Sequence, residues 1–137
     1  MAEYQKDKEE VQKFLDCVKD IISKGTNVQL NNHPWHGRVN KTLTYMAETG
    51  IGQQDMEKVI CELQVSNYSY TADDYNKYFD GEQFWFFGIR KNIIDKDENL
   101  YIKLKIRTIE DKILLIMSFH PEAPDEKSKK LEFPYKE

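Results

Sequence analysis

Apolar residues recur every three to four positions near the start of the chain. Val11, Phe14, Leu15, Val18, Ile21 and Ile22 share one side, and charged residues fill the other. This spacing predicts an amphipathic helix over about 6–24, stopped by Gly25. Residues 26–37 are rich in Asn, Pro and Gly and predict a loop. A second helix is expected over about 38–49, with Val39, Leu43, Met46 and Ala47 inward and Gly50 at its end. A third is expected over about 53–64, where Met56, Val59, Ile60 and Leu63 make the inner stripe.

After residue 64 the period shortens. Residues 65–70 alternate loosely and are rich in β-formers, and 71–82 carry the Asp, Asn and Gly of a loop. Residues 83–90 form an aromatic strand, in which Phe84, Trp85, Phe86 and Phe87 must alternate between the two faces. Residues 95–99 predict a turn, 100–107 the cleanest strand, 108–111 a turn and 112–120 another strand. The tail from Pro121 is polar until 131–135, which predicts a short edge segment. The expected architecture is a single α+β domain over 1–137. Helices lie within about 6–64, an antiparallel sheet of about four strands within 65–120, and a polar tail over 121–137.

Composition narrows the class. A chain of 137 residues with 39% hydrophobic and 32% charged side chains can bury one core. No apolar run approaches the roughly eighteen residues of a membrane span. The N-terminus is polar and mixed in charge, unlike a secretory signal, so a cytoplasmic protein without a disulfide framework is expected. Cys17 and Cys61 fall in helix-like patterns and have no zinc-ligand spacing. His33 and His36 flank Trp35 in the first loop but lack an evident third ligand, so no metal is expected. No Gly-rich phosphate loop or nucleophile elbow suggests a cofactor or a small-molecule enzyme.

The net charge of −4 argues against a general nucleic-acid binder, but it is unevenly spread. Residues 47–82 hold eight acids against Lys58 and Lys77, whereas 83–120 hold seven bases against five acids. Within 100–107, Leu100, Ile102, Leu104 and Ile106 point one way, and Tyr101, Lys103, Lys105 and Arg107 the other. Three like charges on one face need anionic company. Either carboxylates on a neighbouring strand supply it, or a phosphate backbone does; the plainer reading is a solvated face. If 100–107 and 112–120 form a hairpin, Tyr101 and Lys103 lie opposite the Ser118–His120 end. A phenol, an ammonium and an imidazole are the groups that metal-free phosphodiester cleavage requires. Taken alone, His120 is as well explained as a strand-end hydrogen-bonding residue.

The chain also resembles a known family. The first helix, Ala47-Glu48-Thr49-Gly50-Ile51, Met56-x-x-Val59-Ile60-x-x-Leu63, the Trp85 strand, Leu100-Tyr101-Ile102-Lys103-Leu104-Lys105-Ile106 and Ser118-Phe119-His120 are similar, in order and spacing, to MqsR-type toxins of bacterial toxin–antitoxin systems. The resemblance spans roughly residues 10–120. It implies a RelE-like ribonuclease fold, with N-terminal helices on a twisted antiparallel sheet. It further implies metal-independent cleavage of mRNA and restraint by a cognate antitoxin, with no cofactor. The family's strand tyrosine and lysine fall on Tyr101 and Lys103. Its C-terminal catalytic lysine falls on His120, which exchanges a cation for a group that titrates near neutrality. The lysine after the third helix falls near Tyr70, and the glutamine after the tryptophan falls on Phe86. Arg90 is the residue that could supply the missing cation. Lys105 and Arg107, with Arg90 and Tyr70, are then expected to bind substrate. The acidic balance implies a local binding patch, presentation of the RNA by the ribosome, or a non-catalytic interaction protein descended from such a toxin.

Overall fold

The computed structural model describes residues 3–25, 27–31, 40–74, 81–122 and 130–136. The described chain is α+β, with three α-helices and one mixed six-stranded sheet. In chain order the elements are β1 (Glu3–Tyr4), α1 (Lys8–Lys24), β2 (Val28–Leu30), α2 (Lys41–Thr49), α3 (Gln53–Ile60), a 3₁₀ turn (Val65–Asn67), β3 (Tyr68–Asp73), β4 (Gln83–Ile93), β5 (Lys96–Thr108) and β6 (Lys112–Pro121). The sheet order is β1-β3-β4-β5-β6-β2.

The sheet is six-stranded and mixed rather than the expected antiparallel sheet of about four strands: the strand expected over 65–70 instead runs from Tyr68 to Asp73 behind the 3₁₀ turn, and two short strands are added at the edges. β1 pairs antiparallel with β3, and β2 pairs parallel with β6. β2 lies inside the predicted first loop. Three residues are too few to show a period, and only the β6 edge makes them a strand. His33, Trp35 and His36 lie outside the described residues. The tail segment 131–135 is irregular and joins no strand.

α1 forms as its sequence dictates. Asp7 caps it by accepting from the Glu10 amide at 2.8 Å, and Gly25 leaves it in the left-handed conformation at φ 73°. Val11, Phe14, Leu15, Val18 and Ile21 are buried against the sheet, and Phe14 stacks on Trp85 with ring centroids 4.1 Å apart. Trp85 and Phe87 thus enter the main core, together with Leu100, Ile102, Leu104, Leu114, Ile116 and Phe119. The stripe of the third helix is buried as its pattern predicts, although the helix ends at Ile60 and Leu63 follows in a turn.

α2 turns a different face inward. Thr42 and Tyr45 are buried, whereas Leu43 is 36% exposed and Ala47 is exposed. The Thr42 hydroxyl accepts from the Phe119 amide at 2.8 Å. β2 covers β6 only at Leu114–Ile116, so the Phe119 N–H beyond it needs another acceptor. That requirement outweighs burial of Leu43.

The β4–β5 turn is tighter than predicted. Residues 96–99 already belong to β5, and only Ile94 and Asp95 turn, at φ 50° and 62°. A two-residue turn with both φ values positive favours Asn-Gly, and a β-branched residue there is strained. Replacing Ile94-Asp95 by Asn-Gly is expected to stabilise the protein by about 1–2 kcal/mol. Thermal unfolding should then show a Tm higher by roughly 3–8 °C; an unchanged Tm would mean that the turn carries no strain.

Candidate active site on the second face of the sheet

The face of the sheet opposite the helices holds Tyr70 and Ala72 from β3, Phe84 and Phe86 from β4, Tyr101 and Lys103 from β5, and Met117, Ser118 and His120 from β6. Two bulges aim the outer members of this row. In β3 the pairing shifts between Tyr68 and Tyr70, so Tyr68 enters the core while Tyr70 faces the other way. In β6 the register changes opposite Lys103 and Leu104, where Lys103 pairs with Ser118 but Leu104 pairs with Ile116. Strict alternation from Leu114 and Ile116 would drive His120 into the core. The extra residue, Met117, instead puts Phe119 in the core and His120 beside Tyr101.

Tyr101 pairs with His120 across the strands, and their rings stack with centroids 5.1 Å apart. The Tyr101 hydroxyl hydrogen-bonds that of Tyr70, which stacks on Phe86 at 4.1 Å. Burial pushes both phenols up, Tyr70 to about 12 and Tyr101 further, so both stay protonated. Burial also holds the His120 imidazole below its ordinary 6.5. Its Nδ1 lies 2.9 Å from the Pro121 carbonyl oxygen, which only accepts. The neutral ring therefore carries its proton on Nδ1 and presents a basic Nε2.

Lys103 is half-buried, with its Nζ 4.1 Å from the Phe84 ring centroid and 5.5 Å from that of Phe86. Burial lowers its ammonium pKa, against the opposing pull of the Asp74 charge. Among the described residues it makes no ion pair. Of the predicted trio, Tyr101 and His120 are thus in contact across β5 and β6, whereas Lys103, two residues along β5 and opposite Ser118, turns its Nζ over the Phe84 and Phe86 rings of β4.

The predicted phosphate-holding residues are differently placed. Lys105 is 1% exposed and binds both the Asp74 carboxylate and, at 2.7 Å, that of Glu82. Arg107 grips Glu82 through Nε at 3.0 Å and Nη2 at 3.1 Å. Burial pulls the Glu82 carboxyl up, but the hydrogen bonds from Arg107 and Lys105 outweigh it and leave it lowered. The anionic company these cations require comes from the acidic middle of the chain. The excess of acids over 47–82 was the available signal, but not which acids would turn inward. Arg90 is on the same face, beyond Gly88, exposed and engaged by Asn99 at 3.1 Å and Asp97 at 3.7 Å.

One neighbour of the site was expected as a sheet edge and lies elsewhere. The C-terminal segment 130–136 crosses the sheet from the end of β6 to β3. The Leu131 amide donates to Glu122 at 2.6 Å, Ser69 donates to the Glu132 carbonyl at 2.5 Å, and the Tyr135 hydroxyl donates to the Lys6 carbonyl at 2.6 Å. Phe133 and Leu131 lie on Gly88, the cross-strand partner of Tyr101. A Cβ there would stand 2.7 Å from the Phe133 ring, so only glycine permits this approach.

No metal-binding group of three or more His, Cys, Asp or Glu occurs among the described residues, and none of the described helices is long and apolar enough to cross a membrane. The chain matches no protein-family model and no curated protein sequence.

Proposed function

We propose that the protein is a metal-independent endoribonuclease, the toxin of a cytoplasmic toxin–antitoxin pair, on a RelE-like fold similar to that of MqsR-type toxins. The observation that carries this reading is the row Tyr70–Tyr101–His120, with Lys103 one alternate position away and a basic Nε2 on His120. His120 takes the ribose 2′-OH proton at Nε2. The freed 2′-oxygen attacks phosphorus and the bond to the 5′-oxygen breaks. Lys103 offsets the charge on the phosphorane and supplies the proton to the leaving oxygen, which its lowered pKa favours. Tyr101, kept protonated, orients the phosphate by hydrogen bonding. The products are a 2′,3′-cyclic phosphate and a 5′-hydroxyl. mRNA is the substrate and a cognate antitoxin the restraining partner.

The test is incubation of the protein with mixed-sequence single-stranded RNA in EDTA. Fragments ending in 2′,3′-cyclic phosphate are expected, free or on translating ribosomes. The engagement of Lys105 and Arg107 by Asp74 and Glu82 favours a second reading, a non-catalytic interaction protein on the same fold. Silence with both RNA and ribosomes would select it.

A further inference from the structure

A cleft of about 1030 Å³ lies between α1, the 3₁₀ turn, the outer half of the β4–β5 hairpin and the C-terminal segment. It begins at Gly88, directly across the strand from Tyr101. Its charge is opposite in sign to that of the chain. Lys8, Arg90, Lys130 and Lys136 line it against two carboxylates, Glu9 and Glu122. Glu122 accepts from the Leu131 amide at 2.6 Å, and Glu9 and Arg90 are held in exposed ion pairs, with Lys13 at 3.8 Å and Asp97 at 3.7 Å, so Lys8, Lys130 and Lys136 carry the excess. A local excess of cations in a chain of net charge −4 attracts an anion where the rest of the molecule repels one.

We propose that this cleft binds a short single-stranded nucleic-acid segment, its phosphates on Lys8, Lys130 and Lys136 and a base against the half-buried ring of Phe133. The volume exceeds what a single small anion fills. An aromatic face beside cations is the combination that holds a strand through stacking and backbone charge together. The proposal deepens the ribonuclease reading by naming where the strand beyond the scissile phosphate lies. It also explains how a site whose Lys105 and Arg107 are held by carboxylates retains a grip on RNA.

Binding is separable from cleavage. A fluorescein-labelled all-deoxy 10-mer, which has no 2′-OH to react, is titrated with the full chain at several salt concentrations and followed by anisotropy. Lys130→Gln/Lys136→Gln changes two exposed side chains and should weaken binding about tenfold. It should also lower the log–log salt slope by about 1.4, the loss of two single-strand phosphate contacts. An abasic 10-mer should bind at least about fivefold more weakly than the intact one. Absence of binding by wild type, or equal binding by the double variant, overturns the proposal. Equal binding of the abasic strand also overturns it, by reducing the cleft to a polyanion patch. Retained binding by a protein that cuts no RNA leaves this cleft standing and rejects the catalytic reading.

Discussion

His120→Ala is expected to lower RNA cleavage by about 10²- to 10⁴-fold, the range for loss of a positioned general base. Wild-type cleavage should rise with pH through a value below 6.5 and then level off, because burial holds the imidazole below its ordinary value and only the neutral ring has a basic Nε2. The groups facing His120 shape this limb. Tyr101, stacked on it, stays protonated throughout, while Lys41 adds a repulsive charge that further disfavours the imidazolium. The same shift has a stability counterpart. The unfolded chain binds the proton more readily, so this contribution is complete above about pH 6.5 and is lost as the pH falls toward the folded value. The rate is measured from pH 5.5 to 8.5 in EDTA, with circular dichroism to confirm that the variant is folded. An alanine variant as active as wild type would remove His120 from the chemistry.

Glu82→Ala is expected to cost about 3–5 kcal/mol of folding stability, because it strips a carboxylate from two partly or fully buried cations at once. Lys105 lies almost wholly out of water and cannot recover hydration where it stands. The loss should appear in urea unfolding as a lower midpoint with unchanged slope. Added salt should restore little of it, since buried pairs are weakly screened. Lys105→Met combined with Asp74→Leu should recover much of the stability, because an apolar replacement of a buried pair is often neutral. In the wild type the Glu82 contribution is present above its ordinary pKa of 4.5. It is lost as the pH falls through the lowered folded value. A loss below about 1 kcal/mol would place the network in solvent and return Lys105 and Arg107 to the list of phosphate contacts.

The helices and the long strands were legible because burial imposes a period on them. The stripe Val11–Ile21 of α1 and the two faces of β5 are written in alternation alone, and neither needs a distant partner to be specified. A hairpin around 108–111 also brings Tyr101 near the Ser118–His120 end, although the register beside the turn would pair it with Phe119 and the bulge in β6 makes the partner His120. The side of the sheet on which His120 appears does not follow from the hairpin. Leu114 and Ile116 set a period that would bury it, and only the extra residue Met117 turns it toward Tyr101. The bulge at Ser69 does the same for Tyr70. A bulge leaves little trace in composition, because it is stabilised by what lies across the strand.

The remaining surprises have the same origin. β2 is a strand because the edge of β6 needs partners, and Thr42 turns inward because the Phe119 amide needs an acceptor where β2 ends. Asp74 and Glu82 reach Lys105 because the end of β3 and the start of β4 meet there. Residues 131–135 follow the surface of Gly88 rather than a sheet edge. Local alternation and helical period therefore decided the class of fold, the main core and the identity of the chemical groups. Long-range hydrogen bonding and charge neutralisation, which link residues dozens of positions apart, decided which of those groups face one another and which cations remain available to a phosphate.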